Sequence, residues 1–379
     1  MRTLQTWTKA AIGAVVFLAS VAMTAQVAMA AKSTEVHSDG SVGFRYVDAK
    51  ASEVALDLEG VAKPIKMTKD DAGVWSVTTA PLAPEIYSYH FEVDGQTRLD
   101  PESTNHVANL LFHSNWVSVP GRTEQPWEMN AVPHGEVHHH IYTSKVVKGL
   151  AGGQSDYFVY TPPGYDRKAK KPYPVLYLLH GWSDTAEGWT AVGRANLILD
   201  SLIAQGRAKP MVVVMPLGYG EMTFVSNGAA SWDDRATIDR NVEGFSQALL
   251  TEVMPQVEAE YRVRQDAEGR AIAGLSMGGL ESLTVGINHP ERFGWVGGFS
   301  AAVFDLTPEK QFPGVEAPRR LLWIACGSEE ELIGPNRKLV EWLKSRKVAV
   351  DAVETPGLHT WIVWRDNLIH FVPLLFQEK

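Results

Sequence analysis

The sequence predicts an α/β protein with a doubly wound, mostly parallel sheet, preceded by a small all-β domain. From about residue 146 to residue 379, short runs of buried-strand type alternate with helix-length segments. This alternation is typical of a parallel sheet covered by helices on both faces. Residues 31–122 contain short alternating runs and no segment of helical period. Between one strand and one helix lies the motif Gly274-Leu275-Ser276-Met277-Gly278.

The early segment is predicted to be an immunoglobulin-like β-sandwich over residues 31–122. Residues 87–93 alternate apolar and polar side chains, and Asp94-Gly95 then supplies a hairpin turn. Residues 123–145 are predicted to be a linker and an entry strand into the α/β domain, residues 146–379. Neighbouring residues of a strand face opposite ways, so at most two of His138, His139 and His140 could share an ion. No metal is expected.

Residues 1–30 are predicted to be a signal peptide that is cleaved near Ala30. Arg2 and Lys9 give a positive start, residues 10–23 are almost all apolar, and Ala28-Met29-Ala30 has the small-x-small pattern of a cleavage site. An uncleaved N-terminal anchor is the alternative. The protein is therefore expected to be secreted or periplasmic, with no membrane attachment after removal of the signal.

Composition and charge exclude some partners. The chain has 379 residues, 45% of them hydrophobic, and a formal net charge of −9 at pH 7. Binding a nucleic acid requires a basic surface, so no nucleic acid is expected as partner. The one cysteine, Cys326, lies in an apolar run and is expected to be a small core residue rather than a reactive thiol.

The setting of Ser276 predicts a nucleophile. The motif follows the apolar strand at residues 270–273 and precedes a helical stretch at 279–289. Glycines on both sides of the serine permit a strained strand-to-helix turn that exposes the hydroxyl, as in the α/β-hydrolase fold. A serine that only caps the helix is the structural alternative.

Three histidines downstream of Ser276 are candidates for the base, because this fold places the acid and then the base after the nucleophile. His289 ends the helix that follows Ser276, and His370 has the apolar neighbours of a packing residue. His359 follows a late strand and the turn Pro356-Gly357, which is where the base belongs. The sequence therefore predicts His359 as the base.

The acid is expected in the loop after the preceding strand, where Glu329, Glu330 and Glu331 are adjacent. Pattern alone does not choose among them. The amide of Met277 is expected to be one oxyanion donor, and the amide of Trp182, in Leu179-His180-Gly181-Trp182, the other. His180 is expected to form structural hydrogen bonds.

Several further motifs lie in order across residues 133–379: Pro133-His134-Gly135, Tyr160-Thr161-Pro162-Pro163-Gly164-Tyr165, Arg194-Ala195-Asn196, the serine motif and Gly357-Leu358-His359-Thr360-Trp361. With these motifs the catalytic domain resembles the esterase D-type family that includes the feruloyl and acetylxylan esterases of carbohydrate esterase family 1. In similar enzymes the acid lies in Gly-x-x-Asp-x-Leu-Ile-Gly. Residues 327–334 match that stretch and place Glu330 at the acid's position, with Glu in place of Asp, which keeps Glu329 and Glu331 open.

Three stretches of the amino-terminal segment form a recognisable pattern, at residues 71–76, 87–95 and Asp100-Pro101. In these stretches the segment resembles the isoamylase-type domain of carbohydrate-binding module family 48. The two resemblances together imply an ester substrate linked to a plant polysaccharide such as xylan, and no cofactor. Trp182 and Trp361 are expected to contact this substrate by stacking. Siderophore esterases and acyltransferases of the same family are alternatives, and a non-catalytic polysaccharide-binding protein is a further one.

Overall fold

Two antiparallel sheets form the amino-terminal part of the protein in a computed structural model that describes residues 32–304, 306–313, 315 and 320–378. Their strands are β1 (Thr34–Val36), β2 (Val42–Val47), β3 (Val54–Leu58), β4 (Ile65–Lys66), β5 (Thr68–Lys69), β6 (Val74–Thr78), β7 (Glu85–Val93), β8 (Gln96–Arg98) and β9 (Asn115–Val119). One sheet has the order β1-β2-β6-β5 and the other β4-β3-β7-β8, with β9 also paired to β7. The predicted signal peptide lies outside the described residues.

These two sheets enclose a core because alternate side chains of their strands point the same way. Phe44 of the first sheet and Tyr89 of the second meet with ring centroids 4.9 Å apart, and both side chains are buried. Trp75 and Phe91 belong to the same core. The immunoglobulin-like class of this two-sheet domain stays a prediction.

The main sheet has the strand order β10-β11-β13-β12-β14-β15-β16-β17. Its strands are β10 (Glu136–Thr143), β11 (Gln154–Thr161), β12 (Val175–Leu179), β13 (Val212–Pro216), β14 (Arg270–Leu275), β15 (Trp295–Phe299), β16 (Leu321–Gly327) and β17 (Asp351–Thr355). The pairs β10–β11 and β11–β13 are antiparallel, and the pairs from β13 onward are parallel. The segment predicted as linker and entry strand thus contains the edge strand β10.

Helices cover both faces of this sheet. The α-helices of the described residues are α1 (Gly188–Ala191), α2 (Ala195–Ala204), α3 (Thr223–Ser226), α4 (Arg235–Ala248), α5 (Met254–Glu260), α6 (Met277–Asn288), α7 (Pro308–Gln311), α8 (Ile333–Ser345) and α9 (Trp361–Phe371). A π-helical turn at Leu249–Val253 joins α4 to α5. Two buried apolar clusters, one on each face, explain why β12 to β15 are buried throughout and mostly apolar. None of the described helices is long and apolar enough to cross a membrane.

A buried ion pair joins the two parts of the chain, which from Ser33 onward form one compact unit. Arg365 of α9 is fully buried, and its Nε donates to Oε1 of Glu85, at the start of β7, over 3.0 Å. Its two terminal nitrogens donate to the carbonyl oxygens of Val192 and Ile86. The guanidinium therefore ties the amino-terminal domain to the loop that precedes α2.

Candidate active site

Ser276 lies at a strained turn between β14 and α6. Its φ is 51° and its ψ is −113°, a conformation that costs a non-glycine residue about 1–3 kcal/mol. The flanking glycines make the turn possible, since a Cβ on Gly274 would lie 2.5 Å from the carbonyl oxygen of Gly278, and a Cβ on Gly278 would collide with the carbonyl of His180. The Ser276 side chain is half-buried and faces an open cleft.

His359 reaches Ser276 from the loop between β17 and α9. Its Nε2 lies 3.0 Å from the Ser276 hydroxyl oxygen, and its Nδ1 is hydrogen-bonded to Oε2 of Glu330. A carboxylate can only accept, so Nδ1 carries the proton, and the free lone pair of Nε2 faces the serine. This tautomer is the one that a general base requires.

Glu330 comes from the loop between β16 and α8 and is 5% exposed, whereas Glu329 and Glu331 are exposed. Burial alone would raise the pKa of Glu330, but the hydrogen bond and charge of His359 and the Cys326 thiol outweigh it and lower that pKa. Its Oε1 accepts from the amide of Gly327 and from Sγ of Cys326, both over 2.7 Å. The carboxylate is thus held ionised with its lone pairs satisfied.

The loop after β12 lies directly against the nucleophile. A Cβ on Gly181 would be 3.4 Å from the Ser276 Cβ. His180 donates from Nδ1 to the Gly181 carbonyl over 2.7 Å and accepts from the Gly218 amide at Nε2. Burial lowers the His180 pKa to about 4, so this ring stays neutral. It has the structural hydrogen-bonding role expected of it.

Two main-chain amides are available beside Ser276. Met277 is the first residue of α6, and the first amides of a helix have no intrahelical acceptor. The Trp182 amide donates to no group within the described part of the chain. Trp182 borders the cleft and Met277 directly follows Ser276, and the oxyanion-binding role of their two amides stays a prediction.

The cleft has a volume of about 910 Å³ and aromatic walls. The Trp182 ring packs edge-on against Trp232, and Trp232 packs against Phe304. Trp182 is half-buried and presents part of its ring to the cleft. Trp361 borders the cleft but is 6% exposed, because it packs perpendicular to Trp189. Of the two tryptophans predicted to contact substrate, Trp182 is therefore the more accessible, and the substrate contact of both stays a prediction.

Comparison with known families matches residues 151–375 to the family described as "Putative esterase". That range contains the serine, the histidine and the glutamate of the site. The chain belongs to this esterase family. The predicted esterase domain is confirmed, and feruloyl esterases are among its relatives. The module 48 assignment of the amino-terminal domain stays a prediction.

Relatives of this esterase agree with the fold and the chemistry. An endo-1,4-beta-xylanase/feruloyl esterase of Xylanibacter ruminicola is 31% identical over 353 residues, which cover 90% of this chain and 46% of that protein. The chain thus spans less than half the length of that relative. A CE1 ferulic acid esterase from Anaeromyces mucronatus has a TM-score of 0.56 at 25% identity, covering 67% of this chain and 94% of its own.

A third likeness extends over both domains. The enterochelin esterase of Shigella flexneri has a TM-score of 0.68 at 18% identity, covering 92% of this chain and 96% of its own. At that identity the likeness concerns the fold. Together with the sheet order, the neighbours confirm an esterase domain of the α/β-hydrolase type.

The three adjacent histidines of β10 have different partners. His138 pairs with Glu136, and His139 with Asp156. The neighbouring His140 is hydrogen-bonded to Tyr261. In the amino-terminal domain Asp57, His90 and Glu92 bring possible ligand atoms within 4.8 Å of one another, but none of the three lines the cleft.

Cys326 is a part of the site that the sequence did not indicate. It is buried, as expected of a core residue, yet its thiol donates to the predicted catalytic acid. Burial first, and then the Glu330 hydrogen bond, raise the pKa of this thiol, so it remains protonated and able to donate. The strand pattern of residues 321–326 gave no signal for this contact, because it depends on where the next loop folds back.

Removal of the Cys326 donor is expected to lower kcat by roughly 10-fold, since a hydrogen bond to a charged group contributes about 1.5–3 kcal/mol and a thiol, as a weak donor, lies at the lower end of that range. The change is Cys326→Ala, and Cys326→Ser is the matched control that keeps a donor. The measurement is kcat for p-nitrophenyl acetate with active sites counted by titration. Equal activity of the alanine and serine variants would contradict a role for the thiol.

Proposed function

We propose that this esterase is an exported serine carboxylic ester hydrolase that removes feruloyl or acetyl groups from a plant cell-wall polysaccharide such as xylan. The observation that carries the proposal is the continuous hydrogen-bond chain from Glu330 through His359 to Ser276, at the floor of an aromatic cleft. Such a chain activates a serine hydroxyl for attack on an acyl carbon.

In the first half-reaction His359 Nε2 takes the Ser276 proton as the serine oxygen attacks the ester carbonyl. The carbonyl oxygen becomes an oxyanion and accepts hydrogen bonds from the amides of Met277 and Trp182. Glu330 stabilises the imidazolium without taking its proton. The imidazolium then protonates the leaving alkoxide, the C–O bond to the sugar breaks, and the acyl group stays on Ser276.

In the second half-reaction water takes the place of the alcohol. His359 removes one proton from this water as the oxygen attacks the acyl-serine carbonyl, and the same two amides bind the new oxyanion. The tetrahedral intermediate collapses, the proton on His359 returns to the Ser276 oxygen, and the carboxylic acid leaves. These steps use protein groups and water alone.

The proposed acyl group and alcohol are inferred from the residues that line the cleft and from the names of similar proteins. The aromatic walls of the cleft suit a planar phenolic acyl group, which stacks favourably on indole rings. The Xylanibacter ruminicola relative is named as a xylanase and feruloyl esterase. We further propose that the two-sheet domain is of the module 48 type and contacts the polysaccharide, and that export follows from the predicted signal peptide.

A substrate panel tests this assignment. It contains methyl ferulate, feruloylated arabinoxylan, acetylated xylan and a catecholate siderophore ester. The expected order has a feruloyl or acetyl polysaccharide ester first in kcat/KM. A larger kcat/KM for the siderophore ester would favour the second candidate function, a siderophore esterase. The fold likeness to the Shigella flexneri enterochelin esterase is the observation that favours this candidate.

The nucleophile is tested separately with an activated phosphonate ester. The reagent is expected to label Ser276 and to abolish hydrolysis in proportion to labelling, because it traps the serine in a tetrahedral adduct. Peptide mass mapping locates the label, and Ser276→Ala is the control that should remain unlabelled. A label on another serine, or hydrolysis that survives in Ser276→Ala, would refute the mechanism.

A further inference from the structure

A loop of the amino-terminal domain enters the active site of the esterase domain. This segment, residues 105–114, is the later part of the connection between β8 and β9 and is here called the rim loop. Asn109 forms an isolated β-bridge with Asp184, and the amide of Leu110 donates to the carbonyl oxygen of Ser183 over 2.6 Å. The rim loop is therefore hydrogen-bonded to the segment that directly follows Trp182.

The side-chain amide of Asn109 forms hydrogen bonds through both its oxygen and its nitrogen. Its Oδ1 accepts from the amides of Leu111 and Phe112, at 3.0 and 2.8 Å, and so fixes the shape of the rim loop. Its Nδ2 donates to Oγ of Ser183 at 3.0 Å and to Oδ1 of Asp184 at 2.8 Å. One amide group thus connects two loops from different domains.

The segment held by Asn109 contains a strained residue, Ser183, next to the predicted oxyanion donor Trp182. Ser183 is buried and has a φ of 71°, in the left-handed region that a serine adopts only when its surroundings impose it. The Trp182 amide, one residue earlier, must point at the developing oxyanion within a few tenths of an ångström. Displacement of such a group by about 1 Å lowers a rate by ~10²-fold.

Phe112 is the apolar tip of the rim loop. Its side chain is 62% exposed, yet it borders the cleft, and its ring lies edge-on to Trp182 with the centroids 6.0 Å apart. An exposed phenylalanine beside a site is a surface that a ligand can cover. Phe112 and Trp182 face the same cleft from two domains.

We propose that the rim loop completes the active site, with Asn109 as a positioning residue for the Trp182 oxyanion donor and Phe112 as a specificity-determining contact for an aromatic acyl group. This inference rests on the proposed esterase function. It makes the amino-terminal domain a part of the catalytic apparatus, in addition to any contact of that domain with polysaccharide.

The positioning role is tested with Asn109→Ala in the full chain. The expected result is a kcat lower by about 10- to 100-fold for p-nitrophenyl acetate and for methyl ferulate alike, with KM for the acetate changed less than about 2-fold. Asn109→Asp, which keeps the acceptor but loses the donor, is expected to be impaired as well. Leu111→Ala is the matched control, since its side chain is on the same loop but does not line the cleft.

A merely structural role for Asn109 gives a different result. It would lower the active fraction and the unfolding temperature, while kcat per titrated site stayed as in the wild type. Wild-type kcat per site in Asn109→Ala would therefore overturn the positioning role. Unfolding monitored by circular dichroism accompanies each kinetic measurement, so the two effects are read independently.

Phe112→Ala tests the specificity role. We expect kcat/KM for methyl ferulate to fall by roughly 10-fold while that for p-nitrophenyl acetate changes less than about 2-fold, because acetate is too small to reach the ring. An equal loss on both esters, or no loss on either, would overturn it. Ser276→Ala distinguishes failure of the proposed function from failure of this inference. Residual hydrolysis by Ser276→Ala would refute the proposed function. If Ser276→Ala is inactive but the rim-loop variants keep wild-type kinetics, this inference alone is refuted.

Discussion

Glu330→Gln is expected to lower kcat by about 10³- to 10⁴-fold, with little change in KM for a small ester. Glutamine has nearly the same shape, so the loop need not move. Its amide, however, can donate to Nδ1 of His359, which would shift the ring proton to Nε2 and leave no lone pair for Ser276. The loss of the negative charge also removes the stabilisation of the imidazolium that forms during attack.

The same substitution at the neighbouring positions supplies the controls. Glu329→Gln and Glu331→Gln change exposed side chains at the mouth of the cleft, so we expect kcat within about 3-fold of wild type. Steady-state hydrolysis of p-nitrophenyl acetate, normalised to active sites, measures all three variants. A large loss at Glu329 or Glu331, with a mild one at Glu330, would mean that another glutamate orients His359 in solution.

Much of the fold follows from local pattern. Residues 87–93 alternate because one face of β7 packs on the sandwich core, and β12 is apolar throughout because helices cover both of its sides. The late strand predicted before His359 corresponds to β17 at Asp351–Thr355. Four of the five residues of β17 are exposed, so its sequence has no clear apolar pattern from which the first and last residues of the strand could be predicted.

The site follows from order along the chain more than from any single motif. The elbow at Ser276 and the histidine after a late strand could be anticipated, because each lies at the end of an element with a clear pattern. The choice among three glutamates needed either a family resemblance or the burial of Glu330. Cys326 and Asn109 could not be found, since their contacts join segments that only the folded chain brings together.

Arg365 is a further residue whose role could not be predicted from the sequence, in this case a role in stability. The residue lies in the last α-helix, α9, where an arginine would ordinarily face solvent, yet it is fully buried against Glu85, 280 positions away. Burial raises the pKa of Glu85, and the charge of Arg365 acts against that rise. Three hydrogen bonds and a counter-ion therefore compensate for removal of the guanidinium from water.

Arg365→Met is expected to lower the free energy of unfolding by about 3–5 kcal/mol, because it leaves a buried carboxylate without its counter-ion and removes the guanidinium donors from two carbonyl oxygens. The loss should be smaller at lower pH. Without the arginine the folded-state pKa of Glu85 rises further above its unfolded value, so the folded state binds a proton more tightly, and stability falls as pH rises through that range. Urea unfolding at several pH values measures both effects.

Two comparisons decide whether the buried pair is the cause. Arg365→Met with Glu85→Gln is expected to regain part of the loss, since no charge is then left unpaired. Arg337→Met breaks the exposed pair with Glu354 and should cost less than about 1 kcal/mol. If the Arg365 and Arg337 variants lost the same stability, or the double variant regained nothing, the domains would be held by apolar packing, and the ion pair would contribute specificity of orientation instead.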